Sequence, residues 1–116
     1  MKIKFCGIRR LEDVAAVNLC QPDYMGMILS GGFRRSISQE QAQRLVQEKS
    51  DAIAAVGVFV NESSETICHM AEQLHLQVIQ LHGNESAEQI QTLQQKTGLP
   101  VWKALRIGTL EELEAA

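Results

Sequence analysis

The sequence has no apolar run that approaches the roughly 20 residues needed to cross a bilayer. Its N-terminus, Met1-Lys2-Ile3-Lys4, lacks the apolar stretch of a secretory signal peptide. It also lacks an excess of either charge, because 11 Lys and Arg stand against 14 Asp and Glu, for a net charge of -3. The basic residues are dispersed. These absences argue against membrane and nucleic-acid partners, and we expect a cytoplasmic protein.

The spacings of several common sites are missing as well. Cys6, Cys20 and Cys68 are an odd number of cysteines without a C-x-x-C pair, so neither a disulfide framework nor a zinc site is indicated. No G-x-G-x-x-G or G-x-x-x-x-G-K-[ST] pattern occurs, so Gly31-Gly32 is not a nucleotide fingerprint. We expect free thiols and no metal site.

What the sequence does contain is a regular alternation of short apolar strands and amphipathic helices. Strands are predicted at residues 2–6, 24–30, 53–60, 77–82 and 100–105. The third has no polar alternation, which is typical of parallel strands that are buried on both faces. We predict one α/β domain built from successive parallel βα units.

The helix boundaries carry recognisable signals. A hydroxyl and a side chain at capping-box spacing are expected to start three helices, at Ser38 with Gln41, Ser86 with Gln89, and Thr109 with Glu112. Gly98 followed by Pro100 should end the fourth helix. The first helix, near residues 11–19, is less well capped.

Two architectures fit this alternation. The five strands could form an open doubly wound sheet, or the first five of the eight strands of a TIM barrel, which is about 250 residues long. Polar residues recur at the ends of the strands, and in a barrel such positions line the active site. The barrel is therefore favoured.

Cys6 is the candidate base or nucleophile. It would have to be a thiolate, and Lys4 on the same strand face or Lys103 from another strand could supply the neighbouring positive charge. The alternative interpretation, favoured when Cys6 is considered alone, is a small buried hydrophobe.

Further polar candidates follow the second and fourth strands. Arg34 and Arg35 follow two glycines in a loop suited to an anion, although solvated loop charges are the alternative. His82 ends a strand with Gln80 two residues before it, where the alternative is a hydrogen-bonded core histidine. The remaining histidines, His69 and His75, are expected to face solvent.

In order, the segments match the consecutive motifs of one family. They are Lys4-Phe5-Cys6-Gly7-Ile8, Gly26-Met27-Ile28-Leu29 leading to Arg35-Ser36-Ile37-Ser38, Val56-Gly57-Val58-Phe59-Val60-Asn61-Glu62, Gln80-Leu81-His82-Gly83-Asn84-Glu85-Ser86, and Lys103-Ala104-Leu105. The chain thus resembles the phosphoribosylanthranilate isomerases of tryptophan biosynthesis over essentially its whole length.

The resemblance implies a (β/α)8 barrel enzyme that catalyses an Amadori rearrangement of N-(5-phosphoribosyl)anthranilate, a small phosphorylated substrate, without a cofactor. It implies that Cys6 is the general base and that Arg35 contacts the anthranilate carboxylate. His82 and Gln80 would line the same mouth, and Arg34 is a weaker binding candidate.

The resemblance also implies that residues 1–116 are the N-terminal part of that barrel, without the family's catalytic aspartate and phosphate-binding loops. We expect a fragment that is inactive alone and whose partner is the missing C-terminal half or a second copy. One alternative is a self-associating, non-catalytic half-barrel, and another is an open-sheet domain of unrelated function.

Overall fold

The computed structural model describes residues 3–32 and 36–103 of the chain. Five strands alternate with four helices in this part of the sequence. The strands are β1 (Lys4–Phe5), β2 (Tyr24–Ile28), β3 (Ala54–Phe59), β4 (Val78–Leu81) and β5 (Val101–Lys103). The helices are α1 (Leu11–Cys20), α2 (Gln39–Glu48), α3 (Ser64–Leu74) and α4 (Ala87–Thr97). The predicted alternation is confirmed, although β2, β3 and β4 are each shorter than the predicted apolar run.

All five strands are parallel, and their order in the sheet follows their order in the chain. Each helix packs against the next one along the chain, as α1 does with α2. A doubly wound sheet instead reverses its strand order at a switch point and carries helices on both faces. The sequential order confirms the barrel-type architecture, of which four βα units and a fifth strand are described.

The two faces of the sheet differ sharply. The face toward the helices is the main core, where Met25, Met27, Phe59 and Ile79 are fully buried. The opposite face, which we call the inward face, holds a smaller cluster of Val56, Val58 and Val78 with half-buried Tyr24, Ile28 and Trp102. Continuous apolar strands such as β3 are needed because both faces are packed.

The inward face is concave. The ring of Tyr24 on β2 meets the ring of Trp102 on β5 edge to face, with centroids 4.9 Å apart. The ammonium of Lys4 on β1 donates a hydrogen bond to Oε1 of Gln80 on β4. Both contacts pass over two intervening strands, which requires the sheet to curl as barrel strands do.

Capping explains where the helices begin. Ser38 and Gln41 form the predicted reciprocal capping box of α2. Ser86 accepts the Gln89 N–H at the start of α4, but the Gln89 side chain donates to the carbonyl oxygen of Glu62 instead. The second predicted box is therefore only half formed, because Gln89 joins two loops. The predicted box at residues 109–112 lies outside the described residues.

Other predicted boundaries are confirmed. Gly98 ends α4 with φ of 70°, a left-handed conformation that glycine adopts without strain. Helix α1, predicted to be weakly capped, is held by Asp13, whose carboxylate accepts the backbone N–H groups of Arg9 and Arg10. Among the helices described here, none is long and apolar enough to span a membrane.

Candidate active site

The polar residues singled out in the sequence follow the carboxyl ends of the strands. Because the strands are parallel, these ends lie at one edge of the sheet. Residues 6–10 follow β1, residues 60–62 follow β3 and residues 82–85 follow β4, with Lys103 at the end of β5. This edge is the candidate site.

Cys6 is exposed immediately after β1. A Cβ at Gly26 would lie 3.1 Å from Cys6 Sγ, so the thiol lies over the neighbouring strand on the inward face. The Ile8 N–H donates to the Gly26 carbonyl oxygen at 3.1 Å and holds the turn against β2. The interpretation of Cys6 as a buried hydrophobe is wrong in this structure, since the thiol is accessible.

A shallow pocket of about 210 Å³ opens beside Cys6, lined by Gly7, Ile8, Arg9, Arg10 and Asp13. The Asp13 carboxylate pairs with Arg10 at 3.3 Å. The backbone N–H groups of Arg9 and Arg10, together with the Arg10 side chain, outweigh partial burial and lower the pKa of Asp13. Asp13 thus stays ionised and anchors the loop that follows the thiol.

Gln80 lies on the same inward face as Cys6. It is half-buried and accepts the hydrogen bond from Lys4, which is two residues before the thiol. His82 continues the alternation of β4 toward this face. It is half-buried, and its backbone N–H donates to the carbonyl oxygen of Phe59 at 2.9 Å. Cys6 and Gln80 thus lie on one face of this edge, and His82 directly follows the strand that carries Gln80.

Two predicted site residues, Arg34 and Arg35, lie outside the described residues. The ends of their loop are described. The Ser36 hydroxyl donates to the Ser30 carbonyl oxygen at 2.6 Å, and the Ile37 N–H donates to the Ile28 carbonyl oxygen at 3.0 Å. The loop therefore leaves and returns at the carboxyl end of β2.

Lys103 does not approach Cys6 as the sequence suggested. Val101 packs against the helix-side core and Trp102 lies on the inward face, so Lys103 alternates back toward the helices. Its ammonium donates to Glu85 Oε1 at 2.7 Å and to the Gly83 carbonyl oxygen. Of the two predicted cations, only Lys4 shares the inward face with the thiol.

Glu85 is the residue that sequence reasoning missed. Its side chain is fully buried, and its two oxygens accept the Lys103 ammonium and the backbone N–H groups of Gly83 and Asn61, both at 2.8 Å. Burial alone would raise the pKa of Glu85, but the hydrogen bonds from Lys103, from the Asn61 N–H and from the backbone N–H of Glu85 itself outweigh burial and lower that pKa. A buried carboxylate is stable only with such partners.

Asn61 is the second residue missed. It adopts a left-handed conformation with φ of 53°, and its side-chain oxygen accepts the Asn84 N–H at 2.7 Å. Asparagine after a strand and a glutamate three residues after His82 are weak local signals, since both are common in loops. Their connection depends on contacts between separate loops.

Another cavity lies away from this edge. It has a volume of about 400 Å³ and lies at the opposite end of the sheet, near the carboxyl ends of α3 and α4, where Cys68, Leu76, Lys96 and Leu99 line it. No motif of the sequence falls there. Within residues 3–32 and 36–103, no group of three or more potential metal ligands occurs.

Four sequential βα units and a fifth strand, all strands parallel, with a thiol and several polar side chains at the carboxyl edge, define the class of (β/α)-barrel proteins. The sequence profile of the N-(5'phosphoribosyl)anthranilate (PRA) isomerase family matches residues 3–116. The chain belongs to this family.

Individual relatives agree. An N-(5'-phosphoribosyl)anthranilate isomerase of Lachnoclostridium phytofermentans is 42% identical over 113 residues, which cover 97% of this chain and 51% of that protein. One of Caldanaerobacter subterraneus is 41% identical over 98% of this chain and 54% of that protein. The chain spans about half the length of the curated relatives it matches.

Solved structures show the same coverage. The phosphoribosyl anthranilate isomerase of Thermus thermophilus superimposes with a TM-score of 0.86 at 34% identity, over 92% of this chain and 52% of that one. A phosphoribosyl anthranilate isomerase in complex with reduced 1-(o-carboxyphenylamino)-1-deoxyribulose 5-phosphate superimposes with a TM-score of 0.85 at 33% identity, over 98% of this chain and 58% of that one.

Proposed function

We propose that this chain supplies the general base and part of the substrate-binding mouth of a phosphoribosylanthranilate isomerase. The observation that carries the proposal is the accessible thiol of Cys6, at the carboxyl end of β1 and on the face shared with Lys4 and Gln80. Catalytic groups of barrel enzymes occupy such positions.

The reaction is an internal proton transfer. Once the sugar ring has opened to a Schiff base, Cys6 as thiolate removes the proton from sugar C2. The electron pair of that C–H bond forms the C1–C2 double bond of an enolamine, and the Schiff-base nitrogen gains the electrons of its former double bond. Tautomerisation to the ketone returns a proton to C1, so the substrate and the product have the same composition.

The other predicted site residues bind rather than react. Arg35 would form a forked pair with the anthranilate carboxylate, for which a guanidinium is geometrically suited, and Arg34 is the weaker candidate for the same contact. His82 and Gln80 would line the mouth on the side of β4. Lys4 keeps Gln80 oriented through its hydrogen bond.

Turnover should also require the half of the relatives that this chain does not match. The test is an isomerase assay, followed by loss of substrate fluorescence, on the 116-residue chain alone and after addition of the unmatched half of a relative. We expect activity only in the mixture. Replacing Cys6 by Ser should lower the rate by about 100-fold or more, as expected for loss of a general base.

Cys20→Ser is the matched control, since Cys20 is also an exposed free thiol but lies at the end of α1. It should leave the rate unchanged. A well-folded mixture without turnover, or full activity of the Cys6→Ser variant, would contradict the proposal.

A second candidate is a non-catalytic, self-associating half-barrel. It is favoured by the inward face, where Tyr24, Ile28 and Trp102 are only half-buried, and by β1, which pairs only with β2 within the part of the chain that is described. An unpaired strand edge next to apolar surface promotes association. Sedimentation over a range of concentrations should show a dimer if this candidate is correct, whereas a monomer throughout would exclude it.

A further inference from the structure

Glu85 lies in the loop that carries His82, and its hydrogen bonds fix that loop from one side. The peptide group between His82 and Gly83 donates its N–H to Glu85 Oε1 at 2.8 Å. The next peptide group, between Gly83 and Asn84, is held at both ends. Its carbonyl oxygen accepts the Lys103 ammonium, and its N–H donates to the Asn61 side-chain oxygen at 2.7 Å.

The preceding peptide group is held as well, because the His82 N–H donates to the Phe59 carbonyl oxygen at 2.9 Å. Three consecutive peptide groups around His82 are thus held by hydrogen bonds. Their partners are Phe59 on β3, Asn61 in the loop after β3, Glu85 in the loop after β4, and Lys103 on β5. A side chain with fixed peptide planes on both sides has a restricted position, and fixed positions are what binding sites require.

The packing leaves little room for any other arrangement. A Cβ on Gly83 would lie 2.3 Å from the Asn61 side-chain oxygen and 2.9 Å from the Asn61 nitrogen. The Glu85 carboxylate also accepts the Asn61 N–H, so the loops after β3 and β4 are joined by both side chains. Glu85, Lys103 and Asn61 form a unit that we call the loop clamp.

We infer that Glu85, through the loop clamp, is the positioning residue of His82. The inference rests on the proposed function only where it concerns substrate, since the position of His82 can be measured without one. Glu85 itself is buried and does not act on a ligand.

The primary test is NMR of the histidine side chains in the 116-residue chain, in the wild type and in Glu85→Gln. The chain has three histidines, and His69 and His75 are exposed on and just after α3, so they serve as internal controls. We expect the ring resonances of His82 to change in Glu85→Gln while those of His69 and His75 stay in place. Glu88→Gln removes the same charge from the exposed first turn of α4 and should leave all three unchanged.

A second variant keeps the test valid if Glu85→Gln does not fold. Asn61→Gly removes the side chain whose oxygen holds the Asn84 N–H, and glycine accepts the left-handed conformation of residue 61. Because this change alters no charge, a change in the His82 resonances here would reflect position. If the His82 ring resonances were unchanged in both variants while the Gly83 and Asn84 amide resonances shifted, the inference would be overturned, and the loop clamp would have only a structural role.

A ligand-binding cycle separates this inference from the proposed function. The probe is reduced 1-(o-carboxyphenylamino)-1-deoxyribulose 5-phosphate, added to the chain with the unmatched half of a relative. Glu85→Gln should weaken binding by about tenfold when His82 is present but by less than about twofold in a His82→Ala background, since coupled residues are not additive. Equal losses in both backgrounds would overturn the positioning role, whereas absence of any binding would count against the proposed function alone.

Discussion

The ring of Tyr24 on β2 packs edge to face against the indole of Trp102 on β5, at an interplanar angle of 81°. The two strands are separated by β3 and β4. This contact therefore measures the curl of the sheet directly, and the curl brings the carboxyl ends of the strands around a common mouth.

Replacing Tyr24 by Leu should lower the free energy of unfolding by about 1 kcal/mol, because an edge-to-face aromatic pair contributes about 0.5–1.5 kcal/mol beyond burial. Trp102 is the only tryptophan, so its emission reports on the contact. Urea unfolding followed by that emission should show a lower midpoint for the variant. Leu19→Ala, at a side chain that is 85% exposed, should leave the midpoint in place.

Stability should depend on pH through Glu85. Its pKa in the folded chain is below the usual value because the hydrogen bonds from Lys103 and the backbone outweigh burial. Between the folded and the unfolded pKa of Glu85, the unfolded chain therefore binds more protons than the folded chain. The contribution of Glu85 to stability is fully present above the unfolded glutamate pKa of about 4.3 and is lost as the pH falls through the folded pKa.

Glu85→Gln should flatten this acid limb and cost about 2–3 kcal/mol at neutral pH, less than for a fully buried pair because Lys103 is partly exposed. Thermal unfolding between about pH 3 and 7 would measure both effects, since this range spans the usual glutamate pKa. Glu88→Gln, on the exposed surface of α4, is the control. An acid limb as steep in Glu85→Gln as in the wild type would disprove the assignment.

Two glycines in loops at the carboxyl edge of the sheet, Gly83 and Gly31, should respond differently to replacement by alanine. Gly83→Ala forces a methyl group against Asn61 and should destabilise the fold by about 1–3 kcal/mol, the usual cost of overpacking. Gly31→Ala meets no atom within 4 Å among residues 3–32 and 36–103 and should change the unfolding free energy by less than about 0.5 kcal/mol. Urea unfolding of the two variants should show a lower midpoint for Gly83→Ala only. Equal midpoints would contradict the prediction.

Asp13 should matter more than its neighbour Glu12, although both are acidic residues in the first turn of α1. Asp13→Ala removes the acceptor of two backbone N–H groups and should cost about 1 kcal/mol, as loss of a helix cap does. Glu12→Ala removes the same charge but no capping acceptor, so it should cost less than Asp13→Ala. Equal losses for the two variants in urea unfolding would show that charge, not capping, stabilises this turn.

Much of the architecture could be predicted from local patterns. A few residues are enough to predict the strand at β3 and the helix start at Ser38, because burial on both faces and capping are local requirements. The ordered motifs indicated the family. The face on which Lys103 lies could not be predicted in this way. Alternation along a strand assigns a side chain to one face of the sheet only once the register of β5 against β4 is known.

The sequence by itself determined the alternation of strands and helices, the family and the positions of Cys6, Gln80 and His82 at strand ends. Only the tertiary structure decided that Lys103 pairs with Glu85 and not with the face of Cys6, and that Asn61 and Gly83 interlock. The physical reason is that a buried charge is defined by partners from separate loops, and the curl of the sheet determines which loops meet.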